Sequence, residues 1–69
     1  MKIVINGKET LIEKEQLSMR DLLVLQNVKM PEAVSVELNG EFLNRSEFAS
    51  KTVKDNDVIE FLYFMGGGK

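Results

Sequence analysis

Sixty-nine residues, 43% hydrophobic and 29% charged, allow one ordered domain with one core, since a chain this short buries only about 60% of the surface its unfolded form exposes. Nine Lys and Arg stand against eleven Asp and Glu, with no basic run, bilayer-length apolar stretch or signal-peptide pattern, so a soluble, cytoplasmic monomer without nucleic-acid or membrane partners is expected. Cys and His are both absent, which removes thiol nucleophiles, disulfides, iron–sulfur and zinc ligation and the usual general base, and argues against a self-contained enzyme.

Along the chain, Met1, Ile3 and Ile5 alternate with Lys2, Val4 and Asn6, the period of a half-buried strand. Asn6-Gly7 follows. Both residues accept positive φ, so Lys8 to Glu13 should return as an antiparallel strand, with its inward face left open by the adjacent Leu11 and Ile12. Ser18 fits a helix N-cap, with Asp21 at the third helical position and Leu17 placed to pack on Leu22. The expected helix runs for roughly three turns and buries Leu22, Leu25 and Val28, with Leu23 at the margin. Asn27 and Pro31 mark its exit.

Val34, Val36 and Leu38 alternate with Ser35 and Glu37 in a third strand, and Asn39-Gly40 turns the chain into Glu41, Phe42 and Leu43. Asn44 to Ser50 reads as a short irregular or single-turn element anchored by Phe48. Lys54 to Asp57 is a polar turn in which Asn56 tolerates the left-handed conformation, and a final strand runs from Val58 to about Phe64. The carboxylate pairs Glu13/Glu15 and Asp55/Asp57 fall in predicted turns and read as solvated surface rather than acid–base machinery. Hairpin, helix, then further strands predict an α+β domain, a mixed sheet packed on one main helix.

The final strand is apolar on both faces, Ile59, Phe61 and Tyr63 on one and Val58, Leu62 and Phe64, with Glu60, on the other. A central strand fits this pattern. One helix can cover one face only, so Leu62 and Phe64 are expected either as an exposed protein-binding patch or under loops. Gly66, Gly67 and Gly68 then stand together before Lys69. Without side chains such an arm can enter a channel where any Cβ would collide, and from Met65 to Gly68 it can extend on the order of 10 Å. A frayed chain end is the plain alternative.

The opening MKIVINGKE, the helix segment LSMRDLL, the stretch VSVELNGEFLNRSEFA and the ending VKDNDVIEFLYFMGGGK resemble the ThiS family of thiamine-biosynthesis sulfur carriers over nearly the whole chain. That family is related to the molybdopterin-synthase small subunit and more distantly to ubiquitin. The resemblance implies a β-grasp domain over residues 1–65 and a glycine-rich tail over 66–69. It implies that Gly68 carries the reactive carboxylate, adenylated with ATP by a partner enzyme related to the ubiquitin-activating enzymes and then converted to a thiocarboxylate. Gly67 and Gly66 extend the arm, while Leu62, Phe64 and Met65 form the docking face for the adenylating enzyme and for a sulfur-accepting synthase, thiazole synthase by default. No cofactor is expected on the carrier itself.

Two features depart from the family pattern. The sequence continues to Lys69 where members end in glycine, and the resemblance to trimmed carriers implies a peptidase that removes it. Tyr63-Phe64-Met65 is more apolar than the corresponding run in many members. Three readings stay open: a carrier for thiamine or for homocysteine, methionine or another sulfur metabolite; a ubiquitin-like modifier joined through Gly68; and an interaction module with an inert tail. A β-grasp ferredoxin is excluded, because its cluster needs cysteine thiolates.

Overall fold

The computed structural model describes residues 1–30 and 33–63, with Tyr63 by its backbone alone. Strands β1 (Lys2–Ile5) and β2 (Lys8–Leu11) form the first hairpin. Asn6 and Gly7 have φ of 52° and 80°, the paired positive values of a two-residue hairpin turn. A Cβ on Gly7 would meet nothing within 4 Å, so glycine is needed there for its backbone angle and not for space. Strand β2 ends before the expected Glu13, and the open choice of face resolves with Leu11 80% exposed and Ile12 buried beyond the strand.

Strand β3 (Gln16–Ser18) leads directly into α1 (Met19–Leu25). The first three backbone N–H groups of a helix have no partner within it. Here Met19 and Arg20 donate to the carbonyls of Lys51 and Phe48, at 2.8 and 2.9 Å, and Asp21 donates to Ser18 Oγ at 3.0 Å. At the other end Asn27 takes the left-handed conformation (φ 60°), its N–H bonds Val24 O, and the Val28 N–H bonds Leu23 O, both at 3.0 Å. That is the Schellman closure with asparagine in the glycine position, and Leu23 and Val28 meet in the core beneath it. The expected exit residue Pro31 lies outside the described residues.

The helix has seven residues, about two turns instead of three, and its buried stripe is Met19, Leu22 and Leu23. Leu25 is 47% exposed, whereas Leu23 is only 2% exposed. Both expectations are thereby corrected, because at about 100° per residue positions 19, 22, 23 and 26 share one face and 25 falls outside it.

Strands β4 (Val34–Leu38) and β5 (Glu41–Leu43) form the second hairpin across Asn39 and Gly40, with φ of 53° and 87°. A single 3₁₀ turn at Arg45–Glu47 follows, held by the Asn44 N–H donating to Glu47 Oε1 and anchored by buried Phe48. Strand β6 (Thr52–Lys54) then pairs antiparallel with β3, a small second sheet that sequence periodicity does not announce because each strand has only three residues. Strand β7 (Val58–Tyr63) closes the main sheet in the order β2-β1-β7-β4-β5, parallel to β1 and antiparallel to β4. This mixed sheet with its helix is the expected β-grasp architecture. The boundary expected between residues 65 and 66 lies outside the described residues.

The core is one-sided. Ile3, Ile5, Val34, Val36, Leu38, Ile59 and Phe61 are all buried on the face that meets α1. Replacing Leu22 by Ala should cost about 2 to 5 kcal/mol in urea denaturation, while Leu25→Ala should stay within about 0.5 kcal/mol. Equal costs would overturn the assignment of the buried stripe.

Candidate functional site

The second face of the sheet is built by strand alternation and cross-strand register. With Ile59 and Phe61 turned into the core, Val58, Glu60 and Leu62 of β7 lie on the opposite side. Register places Val4 of β1 beside Val58, Glu37 of β4 opposite Glu60, Ser35 opposite Leu62, and Phe42 of β5 opposite Glu37. Among the described residues no element packs on this face. Val58 is 42% and Phe42 65% exposed, while Val4 and Leu62 are half-buried by their strand neighbours. Leu62 itself is half-buried, between the exposed patch and the loop-covered position expected for it, and Phe64 lies outside the described residues.

Of the sequence-derived site residues, Leu62 alone is described, and Phe64, Met65, Gly66, Gly67, Gly68 and Lys69 lie outside the described residues. The structure adds Val4, Val58 and Phe42 to Leu62, drawn from three other positions in the chain. Outward alternation of Val4 and Val58 is legible in the sequence. Their adjacency is not, since it depends on the parallel pairing of β1 with β7. In the middle of this face Glu37 and Glu60 sit directly opposite one another, an arrangement of like charges that costs stability in an isolated sheet. The exposed Lys2–Glu9 pair, 3.9 Å apart, lies nearer the β2 edge.

The two carboxylates expected to be merely solvated, Asp55 and Asp57, are tied into the turn before β7. Asp55 Oδ1 accepts the Lys2 N–H at 2.7 Å, and Asp57 accepts from the Lys54 N–H and from Asn39 Nδ2 at 2.8 and 3.1 Å. Glu13 and Glu15 are exposed in the loop after β2, as expected. Groups of three or more metal-ligating side chains do not occur among the described residues, nor does a helix long and apolar enough to cross a membrane. An open hollow between Leu11–Lys14 and Leu25–Gln26 lies at the start of β1, away from the C-terminal end of β7. What the arrangement offers chemically is a sheet face of mixed apolar and acidic side chains on the strand that precedes Gly66, Gly67 and Gly68 in the sequence.

Comparison with known proteins agrees with this layout. The family model described as ThiS family matches residues 2–68. The sulfur carrier protein ThiS of Bacillus subtilis (strain 168) is 33% identical over 64 residues, covering 93% of this chain and 96% of its own. The crystal structure of a thiamine biosynthesis protein (ThiS) from Geobacter metallireducens superposes with a TM-score of 0.89 at 49% identity, over 99% of this chain and 100% of that one. An NMR solution structure of a thiamine biosynthesis protein from the same organism gives 0.84 at 50% identity, over 100% and 90% of the two chains. With the family model matched over residues 2–68 and the overall fold shared with its solved members, the chain belongs to the ThiS family.

Proposed function

We propose that this chain is a sulfur carrier that works through the carboxylate of Gly68 and supplies sulfur for the thiazole of thiamine. The observation that carries the reading is the family match over residues 2–68, which includes all three tail glycines and stops before Lys69. The names of the Geobacter metallireducens structures support thiamine as the end product.

A carboxylate is a poor acyl donor, so the chemistry requires activation. The Gly68 carboxylate attacks the α-phosphorus of ATP on a partner enzyme, pyrophosphate leaves, and the acyl-adenylate forms. A persulfide sulfur then attacks the acyl carbon and displaces AMP. A second thiol cleaves the S–S bond of the acyl persulfide and releases the thiocarboxylate. Both thiols belong to partners, because this chain has no cysteine. The domain contributes binding and delivery: the face of Val4, Phe42, Val58 and Leu62 docks, and the glycine arm carries the carboxylate into the partner's site. Sulfur then passes to a thiazole-forming synthase that docks the same end of the carrier.

Lys69 must be removed first, by a peptidase. The chain ending at Gly68 should support ATP–pyrophosphate exchange with the cognate adenylating enzyme and gain the mass of one oxygen-to-sulfur exchange, and the chain ending at Lys69 should do neither. The reverse result would overturn the processing step. In the shortened chain Gly67→Ala should leave the urea midpoint unchanged and abolish adenylation, and normal adenylation of that variant would refute passage of the tail through a narrow channel.

Docking on the open face is tested separately by Leu62→Thr, which puts a β-branched residue of high strand propensity in the strand and removes apolar surface. Its KM with the adenylating enzyme should rise about tenfold, as expected for loss of an interface anchor worth about 1.4 kcal/mol, with kcat unchanged. An unchanged KM would move the docking site elsewhere.

A further inference from the structure

The last strand outruns its parallel neighbour. Register between β1 and β7 ends at Ile5 and Ile59, because at Asn6 the chain turns away into the hairpin. On the other flank β4 accompanies β7 as far as Tyr63. Beyond Ile59 the β1 flank of β7 would therefore lose its ladder while the β4 flank keeps it.

One side chain spans that gap. The Asn6 backbone N–H donates to Ile59 O at 2.9 Å, and Asn6 Oδ1 accepts the Phe61 N–H at 2.8 Å in a partly buried bond. The side-chain amide thus stands in for the next backbone carbonyl of β1 and carries the ladder one step further along β7. The same residue must hold φ at 52°, which asparagine and glycine tolerate best. Asn39 does the mirror service at the start of β7: its N–H bonds Val58 O at 2.7 Å, and its Oδ1 accepts the Val58 N–H at 2.9 Å. Both turn asparagines clamp the last strand, but at opposite ends and on opposite edges. Only the Asn6 clamp is on the half of β7 that leads to the tail.

Resting on the carrier reading above, we infer that Asn6 is a positioning residue for the carrier reaction: by holding Phe61 in the sheet it fixes the point from which the glycine arm departs. Without it the C-terminal half of β7 hangs on β4 alone, and a docked carrier presents its carboxylate over a wider range of positions. Productive geometry is then reached less often although docking is unchanged. A shift of about 1 Å in a reacting group can cost a hundredfold in rate, and a partly averaged displacement costs less.

The experiment uses Asn6→Gly, which keeps the positive φ and removes the acceptor, and Asn6→Asp, which keeps both. Asn39→Gly is the matched control, because it removes the equivalent clamp far from the tail. Each is measured with the cognate adenylating enzyme, in whichever form of the chain, ending at Gly68 or at Lys69, the wild type is adenylated. Amide hydrogen exchange at Phe61 is followed in parallel.

Asn6→Gly should speed exchange at Phe61 and lower kcat about tenfold with KM unchanged, Asn6→Asp should restore kcat, and Asn39→Gly should lose stability with kcat intact. Faster exchange at Phe61 with unchanged kcat would overturn the inference and leave Asn6 a structural clamp only. An equal fall in kcat for Asn39→Gly would overturn it as well, by showing that general loosening is responsible. A wild type that no adenylating enzyme activates in either form would refute the carrier reading itself, and the inference would fall with it.

Discussion

The structure depends on a parallel pairing between the first and last strands of the chain. β7 enters the sheet between β1 and β4, so it takes backbone hydrogen bonds on both edges and joins two hairpins that would otherwise be separate. Neither two-stranded hairpin would be stable alone in water. The bonds flanking this insertion are themselves long-range: the Val4 N–H reaches Asp57 O, the Lys2 N–H reaches the Asp55 carboxylate, and the Asn56 N–H returns to Lys2 O. Closing the domain therefore brings the last described strand into the most constrained position of the sheet.

Burial on one face only follows from the single short helix. Seven residues are too few for a helix to persist in isolation, and α1 is held by capping and packing instead. Its N-terminal donors are met by Ser18 and by the carbonyls of Phe48 and Lys51, so the otherwise irregular segment after β5 has a structural task. With the helix and the small β3–β6 sheet gathered on one side, the other face of the main sheet is left with Val4, Phe42, Val58 and Leu62 around two opposed glutamates. Like charges directly opposite one another are unfavourable in a sheet and become favourable against a cationic surface.

Asparagine carries a large share of the local geometry. All four described non-glycine residues with positive φ are asparagines: Asn6, Asn27, Asn39 and Asn56. Two close hairpins, one ends the helix and one turns the chain into β7. Asn6 and Asn39 also spend their side-chain amides on β7, so the turn and the ladder are joined in a single residue. Glycine would satisfy the backbone angle at either position and forfeit the side-chain bonds, to Phe61 at Asn6 and to Val58 and Asp57 at Asn39.

Local chemistry determined much of this in the sequence alone. Alternation in Met1 to Asn6 and Val34 to Leu38, the two Asn-Gly turns, the Ser18 cap and the anchoring of Phe48 are all short-range, and the structure matches them because a turn or a cap acts over a few residues. Resemblance across the whole chain likewise reached the family and the β-grasp fold. Helix length and stripe were misjudged, with Leu25 in place of Leu23, because several apolar residues in a row fit more than one helical face until the core selects one. The β3–β6 pairing, the neighbourhood of Val4, Val58, Leu62 and Phe42, and the bond from Asn6 to Phe61 were decided by tertiary structure alone. Each joins segments far apart in sequence, and no local preference records which strand will lie beside which.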